Sequence, residues 1–350
     1  MADGINLQAL AAGDTLSPEI EAAIELALEA PLTGVDLPAG FGPRQRGKVR
    51  DAWAPTEGPF AGRRVLVTTD RISAFDRVLG HIPLKGQVLN QLSAWWFGAV
   101  ADVVDHHMLG LPDPNTTLAT NAAPLPVEVV VRGFITGVTS TSLWTLYDQG
   151  VDRPYGLDLP QGLKKNDALP TPVITPTTKG VEGAHDERLT CDEVVSRGLL
   201  DADLWAEVQR VALEIFTRGQ QVALEAGLLL VDTKYEFGLV DGRLVLIDEI
   251  HTPDSSRYWL AADYEAAQSE GRGPEHFDKE YLRQWLAAQG YTGDGPSPAL
   301  PTNLRRAVAR RYIGAFLGLT GQPFEPGAQP AAPRITDALT SALQGHHGSL

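Results

Sequence analysis

Residues 228–250 read LLLVDTKYEFGLVDGRLVLIDEI. Two apolar runs, 228–239 and 244–248, flank Asp241-Gly242, and Asp-Gly between such runs is the signature of a tight β-hairpin. Side chains alternate across a strand, so Asp232, Lys234 and Glu236 project from one face and Val231, Thr233, Tyr235 and Phe237 from the other. On the partner strand Asp248 and Glu249 are adjacent. Alternation sends them to opposite faces, so only one of them is expected to join the cluster. Three carboxylates around one lysine suit a magnesium–nucleotide site: Mg²⁺ takes hard oxygen ligands, and an ammonium opposes phosphate or carboxylate. The pattern equally suits a solvated hairpin face whose ion pairs contribute about 0–1 kcal/mol each. The residues alone leave both readings open.

Upstream of the hairpin, Asp201 caps an amphipathic helix with Leu204, Val208, Val211, Ile215 and Val222 on one stripe, stopped by Gly227. Ser17-Pro18 opens another helix, to about Ala30. Residues 63–69 (RRVLVTT) and 128–132 (EVVVR) read as strands, and residues 87–104, 281–286 and 304–317 as helices. Residues 110–126 hold four prolines and are expected to connect two lobes. Residues 150–190 show little periodicity and read as a loop, a length that is usually functional or mobile. Residues 321–333 form a Pro/Ala/Gly-rich tail, with a short helix after it. Helices and hairpins without regular βαβ alternation predict an α+β fold.

The chain has 350 residues, 43% hydrophobic and 21% charged, enough for two domains or one domain of two lobes. No run of about 18 apolar residues occurs, so no membrane span is expected. The N-terminus carries neither a basic region nor an apolar core of a secretion signal. Cys191, the single cysteine, excludes an internal disulfide and a Cys-pair zinc site. A cytoplasmic protein is the simplest expectation. The net charge of −15 weighs against nucleic-acid binding, which needs a basic face. Small anions remain compatible with it, because a local basic cluster can oppose the global charge.

Further along, residues 248–257 (DEIHTPDSSR) form a loop leaving a strand end. Arg257 with Ser255 or Ser256 could hold a phosphate, or could simply close a capped turn. Residues 42–48 (GPRQRGK) have Walker A spacing, but Val49 stands where Ser or Thr must reach magnesium and no helix follows, so this is no P-loop. Gly47–Asp51 can still contact phosphates as a glycine-rich strand pair does in kinases. Arg132, Lys165 and Lys179 are further basic points. The histidines show no metal-ligand spacing, Cys191 reads as a buried small residue, and a Gly-x-Ser-x-Gly elbow is absent.

Six segments occur together and in order: GKVRD (47–51), TDRISAFD (69–76), LKGQVLNQLSAWWF (84–97), PVEVVVRGFITG (126–137), LKKNDALPTPVITPTTK (163–179) and LLLVDTKYEFG with LIDEIHTPDSSRY (228–258). Over roughly residues 40–320 the chain resembles the phosphoribosylaminoimidazole-succinocarboxamide synthase family in its longer form. The resemblance implies an ATP-dependent ligase of purine biosynthesis. Such an enzyme joins L-aspartate to a carboxyaminoimidazole ribonucleotide, giving the succinocarboxamide, ADP and phosphate. It implies a two-lobed α+β fold with nucleotide between the lobes, here residues 1–120 and 121–320, with 321–350 as a tail. Gly47, Lys48 and Arg50 match the loop over the ATP phosphates, and Lys165 matches a lysine of a mobile loop that reaches ATP. Glu236 and Asp248 match the carboxylates that hold Mg²⁺ beside ATP. Arg132, Lys234, Asp254, Ser256 and Arg257 match the ribonucleotide-binding set, with Lys234 and its support Asp232 as catalytic residues. A monomer is implied rather than a homodimer, with no nucleic acid or membrane partner.

One position departs from the family. A serine usually follows the glycine at 137; here Val138 does, followed by Thr139, Ser140, Thr141 and Ser142. Valine cannot hydrogen-bond the ribonucleotide phosphate, so a neighbouring hydroxyl substitutes or affinity drops. The aspartate subsite has only candidates: Asp70, Arg71 and Ser73. Two other readings share the nucleotide logic. A small-molecule kinase would consume ATP without aspartate, and a regulatory module would bind ATP without turnover.

Overall fold

In the computed structural model, which describes residues 5–139, 141–179 and 187–343, the hairpin forms as its sequence predicts. Asp241 and Gly242 sit at φ +50° and +77°, the left-handed pair that a two-residue turn of this hand requires. The turn joins β11 (Leu228–Val240) to β12 (Arg243–Ile247). β11 is the axis of the larger sheet. One of its edges pairs with β9 (Ala123–Phe134), and the other with β12 at one end and β13 (Ser256–Leu260) at the other. β10 (Ala168–Thr178) closes the far edge beyond β9, and β6 (Asp105–His106) runs parallel to β12.

A second sheet has the order β1 (Gln45–Arg46), β2 (Arg50–Trp53), β3 (Arg63–Thr68), β8 (Thr116–Thr120), β7 (Met108–Asp113). β4 (Arg71–Ala74) and β5 (Arg77–His81) make a separate hairpin. The fold is α+β, as predicted. Helix α6 (Ala202–Glu225) lays Trp205, Val208, Val211, Ile215 and Phe216 onto the larger sheet, and Asp201 caps it by accepting from the Leu204 N–H at 2.8 Å. Leu204 and Val222, expected on the stripe, are only half-buried: the contact stripe is centred one residue on, at Trp205. Helices α3 (Lys85–Ala99) and α9 (Thr302–Thr320) pack against each other in the same core, as do α1 (Leu7–Ala11) and α2 (Pro18–Glu29) against α9. α3 stops at Ala99, short of the expected Val104. Among the described residues no helix is long and apolar enough to cross a membrane.

Two stretches expected to lack regular structure are strands. Residues 110–126, expected as a proline-rich connection, supply most of β7, all of β8 and the start of β9. Pro112 lies on the edge strand β7, and Pro114 lies in the turn before β8. Pro124 and Pro126 precede Val127, where register with β10 begins; the Pro126 carbonyl accepts from the Lys179 N–H at 3.0 Å, and the ladder asks no donor of either proline on that edge. Proline lacks an N–H and is tolerated where no ladder bond is needed. Within 150–190, expected as loop, β10 forms on the opposite edge by the same logic. Pro170 and Pro172 fall in the irregular register between Ala168 and Val173. Residues 180–186 of that stretch lie outside the described residues.

The C-terminal stretch is not a passive tail. Helix α10 (Ala331–Leu343) buries Ala331, Ile335 and Leu339 among Phe41, Trp53, Val65 and Leu118, the small core of the second sheet. The approach to it is pinned by Gln87, which donates to the Glu325 carbonyl at 2.7 Å and accepts from the Gly327 N–H at 2.9 Å. Arg334 then pairs with Asp113 at 2.8 Å. Ile335 is 0% exposed, and truncating such a side chain to Ala typically costs about 2–5 kcal/mol. Ile335→Ala should therefore lower the unfolding free energy by roughly that amount in urea titration. A loss below about 1 kcal/mol would mean that α10 adds little to this core.

Candidate active site

Three strands in register build the centre of the site. Asp232 on β11 lies opposite Arg132 on β9 and, across its other edge, opposite Arg257 on β13. Its carboxylate accepts from Arg257 at 2.7 Å and from Arg132 at 3.3 Å. Arg132 also donates to the Thr175 hydroxyl on β10 at 2.9 Å. One carboxylate between two guanidinium groups leaves most of their N–H donors free for another anion. Burial lowers the pKa of Arg132 from the usual guanidinium value, and Asp232 opposes that shift.

Four residues along β11 the polarity reverses. Glu236 lies directly opposite Glu128 of β9, and like charges facing each other are destabilising unless a cation intervenes. Lys234 intervenes, donating to Glu128 at 2.6 Å and to Glu236 at 2.8 Å, while Lys179 reaches Glu236 at 2.5 Å. Burial alone would raise the Glu236 carboxyl; Lys234 and Lys179 instead hold it at about 2. Burial likewise opposes the Lys234 ammonium, and Glu236 and Glu128 keep its pKa well above the ordinary lysine value. The expected convergence of Asp232, Lys234 and Glu236 on one face is present.

Asp248 and Glu249 depart from expectation. Alternation would have separated them, yet both meet the same cation: Arg50 of β2 binds Asp248 and lies 2.9 Å from Glu249. β12 has ended at Ile247, and Asp248 sits at φ +66°, so strand alternation no longer governs the pair. The loop that follows is anchored by His251, fully buried at φ +51°, with its ring nitrogen 2.5 Å from the Tyr235 hydroxyl. Burial pushes that imidazole down to about 3, so it is neutral. Arg50, expected over the ATP phosphates, is thus engaged with two carboxylates, whereas Lys48 lies in an exposed turn 2.6 Å from Asp76.

Two adjoining cavities share Arg257 as a wall. One of about 230 Å³ is lined by Arg132, Asp232, Lys234, Ser256 and Lys279. The other, about 340 Å³, is lined by Val138, Lys165, Trp259, His276 and Gln284. Lys165 therefore stands in a cavity that contains none of Gly47, Lys48 or Arg50. Val138 is 70% exposed at the cavity wall. The Thr139 and Thr141 hydroxyls lie 3.3 Å apart beside it; Ser140 lies outside the described residues.

Asp254 and Ser256 line the first cavity and are also tied into the framework behind it. Asp254 is buried against Lys85 at 2.9 Å and the Tyr312 hydroxyl at 2.8 Å, because the fully buried Lys85 ammonium needs a counter-charge. Ser256 shares a 2.7 Å hydrogen bond with Thr233. Asp70, a candidate for the aspartate subsite, accepts from the Leu32 and Gly86 N–H groups at 3.0 Å, and burial pushes its carboxyl up to about 6. Arg71 is equally buried. Neither residue lines the two cavities described above. The reading of single residues missed Glu128, Lys85 and Lys279, and it expected only one of Asp248 and Glu249 in the cluster. Glu128 stood in a recognised strand, but only the β9–β11 register shows that it faces Glu236.

Among the described residues no three His, Cys, Asp or Glu side chains form a ready metal cage. Mg²⁺ does not need one: it keeps several waters and binds through one or two carboxylates together with substrate phosphates. Glu236 and Asp248, each held by cations that a phosphate could take over, fit that role. Because the Glu236 pKa is depressed in the folded chain, its stabilising contribution is present above the unfolded value near 4.5 and is lost as pH falls toward about 2. Glu236→Gln should therefore show a shallower loss of urea stability over that interval than the unmodified chain. Parallel curves would mean that the Lys234 and Lys179 pairing contributes nothing to folding.

The comparisons with known proteins converge on one family. The family model described as SAICAR synthetase matches residues 43–298. A phosphoribosylaminoimidazole-succinocarboxamide synthase of Legionella pneumophila is 46% identical over 316 residues, 89% of this chain and 97% of that protein. A putative phosphoribosylaminoimidazole-succinocarboxamide synthase 2 of Mesorhizobium japonicum is 46% identical over 85% of this chain and 94% of its own length. Among solved structures, a SAICAR synthase from Saccharomyces cerevisiae complexed with SAICAR superposes with a TM-score of 0.71 at 32% identity, covering 84% of this chain and 99% of that one. With its strands, its charged row and its relatives in agreement, the chain belongs to the SAICAR synthetase family.

Proposed function

We propose that this chain uses ATP to join L-aspartate to the carboxylate of 5-amino-1-(5-phosphoribosyl)imidazole-4-carboxylate, giving SAICAR, ADP and phosphate. The observation that carries the site assignment is the in-register row Arg132–Asp232–Arg257 beside the Glu128–Lys234–Glu236 cluster. The first group offers donors to a phosphorylated ligand. The second, with Asp248, offers carboxylates to a metal-bound nucleotide.

A carboxylate does not accept an amine directly, because oxide is a poor leaving group. In the proposed route a carboxylate oxygen bonds to the γ-phosphorus of ATP as the bond to ADP breaks, forming an acyl phosphate. The aspartate ammonium gives up one proton to become an amine, its nitrogen attacks the acyl carbon, phosphate departs, and the nitrogen releases a second proton to leave the amide. Arg132 and Arg257 bind the ribonucleotide phosphate, Asp232 fixes both guanidinium groups, and Lys234 faces the reacting carboxylate. Glu236 and Asp248 would hold Mg²⁺, which when bound neutralises charge on the ATP phosphates. Gly47 and Lys48 cover those phosphates. Fixed placement of three reactants replaces a three-body encounter. The acyl phosphate must be kept from water, a role this reading gives to the segment around Lys165. The reading includes lobes at residues 1–120 and 121–320 with nucleotide between them, and a cytoplasmic monomer.

ADP release with MgATP and the ribonucleotide should depend strictly on L-aspartate and match SAICAR formation mole for mole. A kinase would release ADP without it, and a regulatory module would release none. Glu236→Ala and Asp248→Ala should each cut kcat by about 10²-fold or more, the scale of losing a charge-stabilising group. Near-normal turnover in both would remove the magnesium assignment. Val138→Ser should lower KM for the ribonucleotide by roughly two- to tenfold, the worth of one neutral hydrogen bond. An unchanged KM would show that position 138 does not meet the phosphate.

A further inference from the structure

The turn at Gly47–Val49 has three successive carbonyls captured by one neighbouring segment. The Gly47 carbonyl accepts from Arg71 Nη2 at 2.9 Å, and the Lys48 carbonyl from Arg71 Nε at 3.2 Å. The Val49 carbonyl accepts from the Thr69 N–H at 3.0 Å and the Thr69 hydroxyl at 2.5 Å. The same guanidinium donates to the Thr33 carbonyl at 2.5 Å and to the two carboxylate oxygens of Asp51 at 2.7 and 3.4 Å. Arg71 is 1% exposed and Asp51 0%. A buried guanidinium spread over three carbonyls and one carboxylate is a rigid template, because its donors are fixed in one plane.

Peptide planarity carries the consequence. The C=O and N–H of a trans peptide point in opposite directions within one plane. When Arg71 draws in the Gly47 carbonyl, the Lys48 N–H is turned away from it. When it draws in the Lys48 carbonyl, the Val49 N–H is turned away as well. Among the described residues neither N–H has an acceptor. Gly47 is required for the tight turn: a Cβ there would lie 2.7 Å from the Arg50 carbonyl oxygen. Two consecutive backbone donors thus lie on the solvent side of the turn, the arrangement of an anion-binding concavity.

We propose that Arg71 is a positioning residue for the nucleotide phosphates: it holds the Gly47 and Lys48 carbonyls inward so that the Lys48 and Val49 amides face the β- and γ-phosphates. This rests on the reading that the Gly47 turn covers ATP. A purely structural Arg71 would support the fold without distinguishing one nucleotide from another. A positioning Arg71 acts only on nucleotides whose phosphates reach the turn.

The test compares MgADP and AMP binding, by calorimetry and competition, for the unmodified chain, Arg71→Lys and the double variant Arg71→Met/Asp51→Leu. Lysine keeps the charge against Asp51 but cannot span two carbonyls. The double variant removes both charges so that neither is buried alone, and it carries the test if Arg71→Lys does not fold. Both variants should bind MgADP at least about tenfold more weakly, the scale of losing a hydrogen bond to a charged group, with AMP affinity unchanged. In turnover, KM for ATP should rise while kcat at saturating ATP and the KM values for ribonucleotide and aspartate stay level. Equal weakening of MgADP and AMP, or no weakening of either, overturns the proposal. Failure of the unmodified chain to bind MgADP would instead sink the nucleotide reading, and this inference with it.

Discussion

Asp232 and its two arginines are the constraint around which the rest is arranged. A guanidinium buried without a partner is costly, and two side by side would repel each other. One carboxylate placed between them, in register across three strands, makes the row tenable. Because one anion faces two cations, the row remains locally positive within a chain of net charge −15. The electrostatics of the site are therefore set by strand register, and the total charge says little about them.

The neighbouring cluster obeys the same rule with opposite sign. Glu128, Glu236, Asp248 and Glu249 are balanced by Lys234, Lys179 and Arg50. Arg50 comes from the smaller sheet and the carboxylates it meets follow β12, so this contact also ties the two sheets together. In the proposed reaction, MgATP would exchange these partners: carboxylates pass to the metal and cations to the phosphates. Such an exchange leaves few charges unpaired at any stage, which limits the cost of loading the site with several anions.

The smaller sheet must be steady for that exchange, and its own core is slight. Helix α10 returns from the C-terminus to supply Ile335 and Leu339, and Gln87 and Arg334 fix its approach. The strands bearing the glycine-rich turn thus depend on residues nearly 300 positions later in the chain, Gly47 and Ile335 being 288 apart. Arg71, joining the turn to Thr33 and Asp51, extends the same support from below.

What the sequence determined by itself is local. The β11–β12 hairpin followed from Asp241-Gly242, α6 from its Asp201 cap and apolar stripe, and the facing of Asp232, Lys234 and Glu236 from strand alternation. These depend on neighbours within a few residues, where periodicity and turn chemistry are decisive. The six ordered segments made the family legible as well. Only the tertiary structure decided which charges meet. Glu128 opposes Glu236 through β9–β11 register, and Arg132 and Arg257 reach Asp232 from strands 100 positions earlier and 25 later. Asp248 and Glu249 share Arg50 because the chain turns left-handed after β12. The prolines of β9 and β10 were misread because whether a proline is tolerated depends on which strand edge is free, and edges exist only once a sheet has assembled.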